Sequence, residues 1–394
     1  MKIGGNIIMK LKRIGLTFLA SVALASSLAG LSASAQDTVL IGANYELSGD
    51  AASYGSVMAN GLELAIELVN AEGGVLDGAM LESLILDNQS NLTESASVAT
   101  RLVSEDIVGI VGPATTGDAQ AQIPIVNEAG IPAILPAATG DGITLDDSGN
   151  VLDYLFRVCF EDSYQGSAAA AYSSETLGAT TAAIITDQAL DYSQGLSDAF
   201  VTEFEERGGT IVTTESYSSG DNDFSAILTS LLVQEFDVLY IPGYYTEGGL
   251  IIQQARQMGI TQPIVAGDGF ASPTLVELAG AENANDIHYT SHFSTQSEEP
   301  IVQEFLAAYE EKFGVEPDAF AALGYDAAML LIDAVERAGS TDPKAVKDAI
   351  AETTEFAGVT GTFAVDENHN PVKPATMITL QNGEITSAEL VSAE

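Results

Sequence analysis

Cysteine, histidine and basic side chains are all scarce in this 394-residue chain. Cys159 is the only cysteine, so no internal disulfide can form, and it reads as a lone buried thiol. Lys and Arg number 13 against 56 Asp and Glu, a formal net charge of −43. Phosphate recognition needs Lys and Arg, so nucleic acid is a poor partner, and an anionic membrane face would repel such a surface. The acidic residues are spread along the chain, which suits a solvating, salt-tolerant surface better than an interaction tail. No short repeat period is visible and no low-complexity linker interrupts the pattern. There is no G-x-S-x-G elbow, Walker loop, H-E-x-x-H or G-x-G-x-x-G. Only three histidines occur. His288 and His292 are four apart, a spacing that would suit a metal on a helix, but residues 287–294 read as a strand, where it is unremarkable. The expectation is a chain without enzymatic machinery, metal or cofactor.

The N-terminal segment differs from the rest. Lys2, Lys10, Lys12 and Arg13 precede a mostly apolar run at 14–31, and Ser32-Ala33-Ser34-Ala35 offers an A-x-A type cleavage site. Residues 1–35 are read as a secretory signal peptide and excluded from the fold. The run is short and rich in Ala, Ser and Gly, which argues against a membrane anchor. No cysteine follows it that could carry a lipid. This segment holds four of the 13 basic residues and no acidic one, so the chain from Gln36 onward carries about −47. No later stretch is long and apolar enough to span a bilayer, so the mature chain is expected to be soluble.

From residue 38 the pattern alternates. Strand-like runs at 39–43, 81–86, 107–111 and 131–135 are separated by helical spacings at 55–70, 93–104 and 117–129. The first helical spacing is carried by Met58, Leu62, Ala65, Ile66 and Val69 and stopped by Gly73-Gly74. The alternation resumes with helices at 166–177, 193–207, 224–234 and 248–258 between strands at 182–185, 210–214, 238–241 and 264–266. Strands alternating with helices of this length predict βαβ units and parallel sheets. Several strands are continuous apolar runs, as sheets covered on both faces require. Helical segments at 300–313, 318–338 and 343–352 and short strands near 362–365 and 376–380 close the chain. The fold class is therefore α/β, with two doubly wound parallel-sheet lobes and a ligand cleft between them.

In open α/β sheets, ligands bind in the crevice beyond the carboxyl ends of the strands. The 107–111 strand runs into Gly112-Pro113-Ala114-Thr115-Thr116-Gly117-Asp118, and the 131–135 strand into Pro136-Ala137-Ala138-Thr139. Small residues there let backbone N–H groups approach an anion, and a helix N-terminus favours it. Thr115, Thr116 and Thr139 add hydroxyls that can donate to a carboxylate; the alternative is that each merely caps a helix or turn. In the second block the strand ends carry Asp187 with Tyr192, Tyr244-Tyr245, and Gly267-Asp268-Gly269-Phe270. Asp268 can point a carboxylate into the cleft, or it is only a turn residue. A carboxylate facing an anion cradle is complementary to a zwitterion.

At these residues the chain resembles the periplasmic leucine/isoleucine/valine-binding proteins, the type I solute-binding proteins of branched-chain amino acid transporters. The resemblance runs from Thr38 to about Ser387. It rests on Leu47-Ser48-Gly49 with Tyr54-Gly55, Asn70-Ala71-Glu72-Gly73-Gly74-Val75, residues 112–117, Pro136-Ala137-Ala138-Thr139, Phe156-Arg157 with Gln165-Gly166, Tyr192-Ser193-Gln194-Gly195, Phe224-Ser225, Gly243-Tyr244 and Gly267-Asp268-Gly269. It implies that a ligand carboxylate meets Thr116, Thr139 and backbone groups of Ala137, with Thr115 and Ala138 adjoining. It implies that the ammonium meets Asp268 beside Tyr192 and Tyr244, and that Tyr54 walls the pocket. Two departures stand out: family archetypes often carry Ser at the Thr116 position and Glu at the Asp268 position. Relatives bind amides, urea or aromatic acids, and a receptor-linked sensor could use the same lobes. The resemblance further implies lobe 1 at 38–158 plus 289–362 and lobe 2 at 159–288 plus 363–394. It implies a periplasmic monomer that hands a small amino acid to the membrane permease of an ABC transporter.

Overall fold

The computed structural model describes residues 38–391; the signal-peptide reading of 1–35 falls outside them. The first lobe alternates β1 (Thr38–Tyr45), α1 (Ala52–Ala71), β2 (Met80–Asp87), α2 (Leu92–Leu102), β3 (Ile107–Val111), α3 (Thr116–Ala129), β4 (Ala133–Leu135) and β5 (Leu155–Arg157). The second alternates α4 (Asp162–Glu175), β6 (Thr181–Asp187), α5 (Asp191–Glu206), β7 (Thr210–Tyr217), α6 (Ser225–Leu231), β8 (Val238–Tyr240), α7 (Tyr245–Gln257), β9 (Ile264–Ala266), α8 (Pro273–Ala279) and β10 (Ile287–Ser291). Then come α9 (Pro300–Phe313), α10 (Ala319–Ala338), α11 (Pro343–Ala351), β11 (Phe356–Gly358), β12 (Gly361–Phe363), β13 (Ala375–Gln381) and β14 (Glu384–Val391).

The first sheet has the order β2-β1-β3-β4-β5, every pair parallel. The second has the order β14-β13-β10-β9-β8-β6-β7. Its parallel part, β7-β6-β8-β9-β10, repeats the winding of the first sheet. Both sheets therefore reverse strand order at one place, between β1 and β3 and between β6 and β8. Those are the two switch points where the strands' carboxyl ends leave a crevice. The inner strands β3, β8 and β9 are buried at every residue, as their apolar runs predict, whereas the edge strand β7 is mostly polar and partly exposed.

The chain passes between the lobes three times, at residues 158–161, 292–299 and 364–374. Strand β10 stays in the second sheet through Ser291, past the expected switch after residue 288. Helices α10 and α11 pack back on the first sheet at β3, and α10 lies along α1. That crossing is close because two glycines face it. A Cβ on Gly61 would stand 2.2 Å from the Ala321 carbonyl oxygen, and one on Gly324 2.5 Å from that of Met58. Strands β13 and β14 form an antiparallel hairpin that widens the second sheet, which the sequence pattern does not anticipate for 384–391. Among the described residues, no helix is long and apolar enough to cross a membrane.

Candidate ligand-binding site

The two switch points face each other, and the loops beyond them close on a small cavity. It is lined by Tyr54, Ala114, Thr115, Ala137 and Phe320 from one lobe and by Tyr192, Tyr244, Asp268 and Gly269 from the other. The enclosed space is only about 10 Å³, room for about one water. The lobes are therefore closed, and anything as large as an amino acid enters only if they part. A groove of about 890 Å³, whose wall includes Phe270, Ser291, Gln296, Asp318 and Glu384, lies elsewhere and shares no lining residue with the cavity.

Asp268 is the one carboxylate in the cavity wall. Its Oδ1 accepts from the Tyr192 hydroxyl at 2.8 Å and its Oδ2 faces His292 Nε2 at 3.1 Å. The Gly269 N–H donates to the Tyr192 hydroxyl at 2.9 Å, and the Asp268 N–H to Gln165 Oε1 at 3.1 Å. The flanking glycines are forced by this packing. A Cβ on Gly269 would meet the Gly243 carbonyl oxygen at 2.5 Å, and one on Gly267 the Tyr192 hydroxyl at 2.8 Å. Tyr192 stacks on Tyr244 with ring centroids 5.0 Å apart, and Tyr54 meets Tyr244 edge-on at 5.5 Å and Phe320 at 4.2 Å. Burial pushes the His292 imidazole down to about 4, against the pull of Asp268, so it is neutral.

The opposite wall differs from the sequence expectation. The loop after β3 does cradle an acidic group, but it is the protein's own Glu46, whose carboxyl burial pushes up to about 8. Its fully buried carboxyl group accepts from the Ala114 N–H at 3.1 Å and the Thr115 N–H at 3.1 Å. Thr115 is occupied as well: it caps α3, and its hydroxyl donates to Asp118 Oδ2 at 2.8 Å. The cap reading therefore describes Thr115. Thr116 lies behind the cavity wall, where its hydroxyl accepts from the Gly140 N–H at 3.1 Å and keeps its own proton to donate. Ala138 and Thr139 are also behind the wall and fully buried. The buried Thr139 hydroxyl and Asp162 Oδ2 have no close hydrogen-bond partner apart from each other. Burial raises the Asp162 carboxyl well above its usual range; the nearby Thr139 hydroxyl opposes this and the charge of Asp268 adds to it.

Of the nine residues singled out in the sequence, the structure gathers Tyr54, Thr115, Ala137, Tyr192, Tyr244 and Asp268 around the cavity and sets Thr116, Ala138 and Thr139 behind it. Phe320, His292 and Glu46 were not anticipated. Phe320 has no local signal, since it arrives from α10. His292 could have been found by the strand-end rule that found Asp268, because it sits just past the end of β10, the neighbour of β9. His288 serves different partners, Asp286 and Thr379, so the two histidines do not act as a pair. Cys159 is fully buried, donates to the Ala138 carbonyl at 3.4 Å, and is pushed up to about 12 chiefly by burial.

The sequence profile of the periplasmic binding protein family matches residues 38–384. Leu/Ile/Val-binding protein homolog 1 of Brucella suis biovar 1 is 31% identical over 360 residues, 91% of this chain and 94% of that protein. Among solved structures, the branched-chain amino acid transporter substrate binding protein LivJ from Streptococcus pneumoniae, in complex with isoleucine, is 42% identical with a TM-score of 0.86. The match covers 90% of this chain and 100% of that one. The leucine binding protein LivK from Thermotoga maritima is 36% identical with a TM-score of 0.83, over 90% of this chain and 98% of that one.

Proposed function

The chain belongs to the periplasmic binding protein family, and on that footing we propose that it captures a branched-chain amino acid between its lobes for the membrane permease of an ABC transporter. One observation carries the ligand class. Asp268 is a buried carboxylate in the cavity wall, no Lys or Arg lines that wall, and its neighbour His292 is neutral. A buried charge left without a counter-charge is costly, so the site calls for a cation, and a ligand ammonium supplies one. Tyr54, Tyr244 and Phe320 offer the apolar surface an aliphatic side chain needs.

On this reading the ligand's α-carboxylate is held by the first lobe. The free proton of the Thr116 hydroxyl and the Thr139 hydroxyl are its donors, with the Ala137 backbone beside them. Thr116 and Thr139 come within reach once the lobes open and reclose on a ligand. Binding shifts the open–closed equilibrium only as far as the ligand's preference for the closed form allows. The protein works as a monomer in the periplasm, reached through the cleaved N-terminal segment.

A thermal-shift screen of the twenty amino acids with urea and short amides tests the proposal, because a ligand that binds only the folded state raises the melting temperature. Leucine, isoleucine or valine should give the largest upward shift. A response to urea or amides with none to any amino acid would overturn the ligand class.

A further inference from the structure

We infer that His292 is a positioning residue for ligand recognition: as a neutral imidazole protonated at Nε2, it fixes the Asp268 carboxylate in the orientation that receives the ligand's ammonium. The inference rests on the reading of Asp268 as the ammonium partner.

The geometry singles out one protonation state. His292 and Asp268 are both almost fully enclosed, with side chains 1% and 4% exposed. A carboxylate oxygen only accepts, so the nitrogen facing it at 3.1 Å must carry a proton. The other ring nitrogen, Nδ1, is buried and has no partner. A second proton there would be a buried donor without an acceptor, which costs about 1–3 kcal/mol. The ring is therefore a one-proton, Nε2–H tautomer. Burial, which drives the imidazole down, and the positive charge of Lys373 both act in the same direction.

The ring cannot turn away from this task. It stacks on Phe160 with centroids 3.6 Å apart and planes 21° apart. Phe160 belongs to the first passage between the lobes and His292 to the second. The carboxylate is thus held from both sides: Tyr192 on the cleft wall donates to Oδ1, and His292, clamped between two hinge segments, donates to Oδ2. Each oxygen has a single donor, and a carboxylate offers about four acceptor positions, so both retain capacity for an ammonium. Without the Nε2 donor, the short Asp side chain is free to rotate out of line.

Four variants and one spectrum test this. His292→Phe keeps a ring on Phe160 and removes the donor, while His292→Gln returns an N–H near the Nε2 position. Calorimetric titration should show leucine affinity reduced roughly tenfold in His292→Phe and restored to within about threefold of wild type in His292→Gln. Isocaproate, which is leucine without its amino group, makes no use of Asp268, so His292→Phe should shrink the leucine-to-isocaproate preference. A packing defect would weaken both ligands alike and leave that ratio unchanged, which would overturn the inference. Asp268→Asn combined with His292→Phe should cost little more than Asp268→Asn alone, because the histidine acts through the carboxylate. Nitrogen-15 shifts of histidine-labelled wild-type protein without ligand should report the Nε2–H tautomer at His292. An Nδ1–H tautomer overturns the assignment even if leucine binds, and failure of wild type to bind any amino acid strikes the ligand reading and leaves the tautomer result standing.

Discussion

The Tyr54 hydroxyl of one lobe donates to the Gly269 carbonyl of the other at 2.6 Å, and accepts from the Tyr245 N–H at 3.2 Å. Beside it the Ser53 hydroxyl lies 2.7 Å from that of Ser272. These contacts exist only while the cleft is shut, so they bias the lobes toward closure before any ligand arrives. Tyr54→Phe leaves both partners unpaired in the closed form alone, at about 1–3 kcal/mol. The variant should show a larger radius of gyration without ligand by small-angle scattering. Its ligand affinity should fall, by at most about 5- to 150-fold, because the lobes reclosed on a ligand lose the same bonds. An unchanged radius together with wild-type affinity would mean that these bonds do not hold the lobes together.

Asp268→Asn removes the charge that the ligand's ammonium needs. Breaking one side of a buried pair costs about 3–5 kcal/mol, or roughly 150- to 5,000-fold in affinity. From sequence alone the unliganded stability should be nearly unchanged. The structure alters that expectation, since each carboxylate oxygen already accepts from a donor. An amide NH₂ must then face either the Tyr192 hydroxyl or the His292 N–H, at a cost of about 1 kcal/mol. Thr139→Val should lose less affinity than Asp268→Asn, because other donors remain for the carboxylate. Titration calorimetry and denaturant unfolding of the two variants check both expectations, and wild-type affinity in Asp268→Asn would remove this residue from the site.

The winding was legible because its signals are local. Buried strands such as β3 and β9 are short apolar runs, and the glycine pairs at 73–74 and 208–209 stop α1 and α5. The last hairpin was missed although Asn382-Gly383 announces it, both residues having the positive φ that a two-residue hairpin turn uses. The polar residues of β14 do not look like a strand, because that strand is an exposed edge. Asp268, Tyr192 and Tyr244 could be named because each follows a strand end in its own segment. Glu46 could not: its partners at 114 and 115 reach it only because β1 and β3 are neighbours in the folded sheet. Composition and spacing say nothing about which acidic group a cradle will hold.

Salt should stabilise this protein. Self-repulsion among the roughly 47 excess negative charges of the chain from Gln36 onward weakens the compact state at low ionic strength. At about 1 M salt the screening length falls to about 3 Å, which removes most of that repulsion. The melting temperature should therefore rise between low and molar sodium chloride, in scanning calorimetry without ligand. A melting temperature that stays level or falls would show that the acidic residues are already far enough apart, or hydrated well enough, for repulsion not to matter.

Glu46 should make stability depend on pH above the usual carboxylate range. Burial, and then the neighbouring charge of Asp118, raise its carboxyl to about 8, against the opposing N–H groups of Thr115 and Ala114. In the unfolded chain a Glu loses its proton near pH 4.3. Between those limits the folded state binds more protons than the unfolded one, so the contribution of Glu46 is complete at low pH and is lost as pH rises toward 8. His292 acts in the opposite sense: its folded value of about 4 lies below the ordinary histidine value, so it favours folding more as pH rises to about 6.5. The wild-type profile mixes both slopes, and Glu46→Gln separates them. The amide keeps an acceptor for the Ala114 and Thr115 N–H groups and has no proton to lose. Denaturant unfolding at pH 5 and pH 8, at fixed ionic strength, should show that the variant loses less stability than wild type over that interval. The difference should be of order 1–3 kcal/mol, below the full linkage value because the carboxyl shares its proton affinity with Asp118. Parallel profiles for the two proteins would mean that Glu46 is ionised in the folded state and that the loop after β3 holds it as a carboxylate throughout.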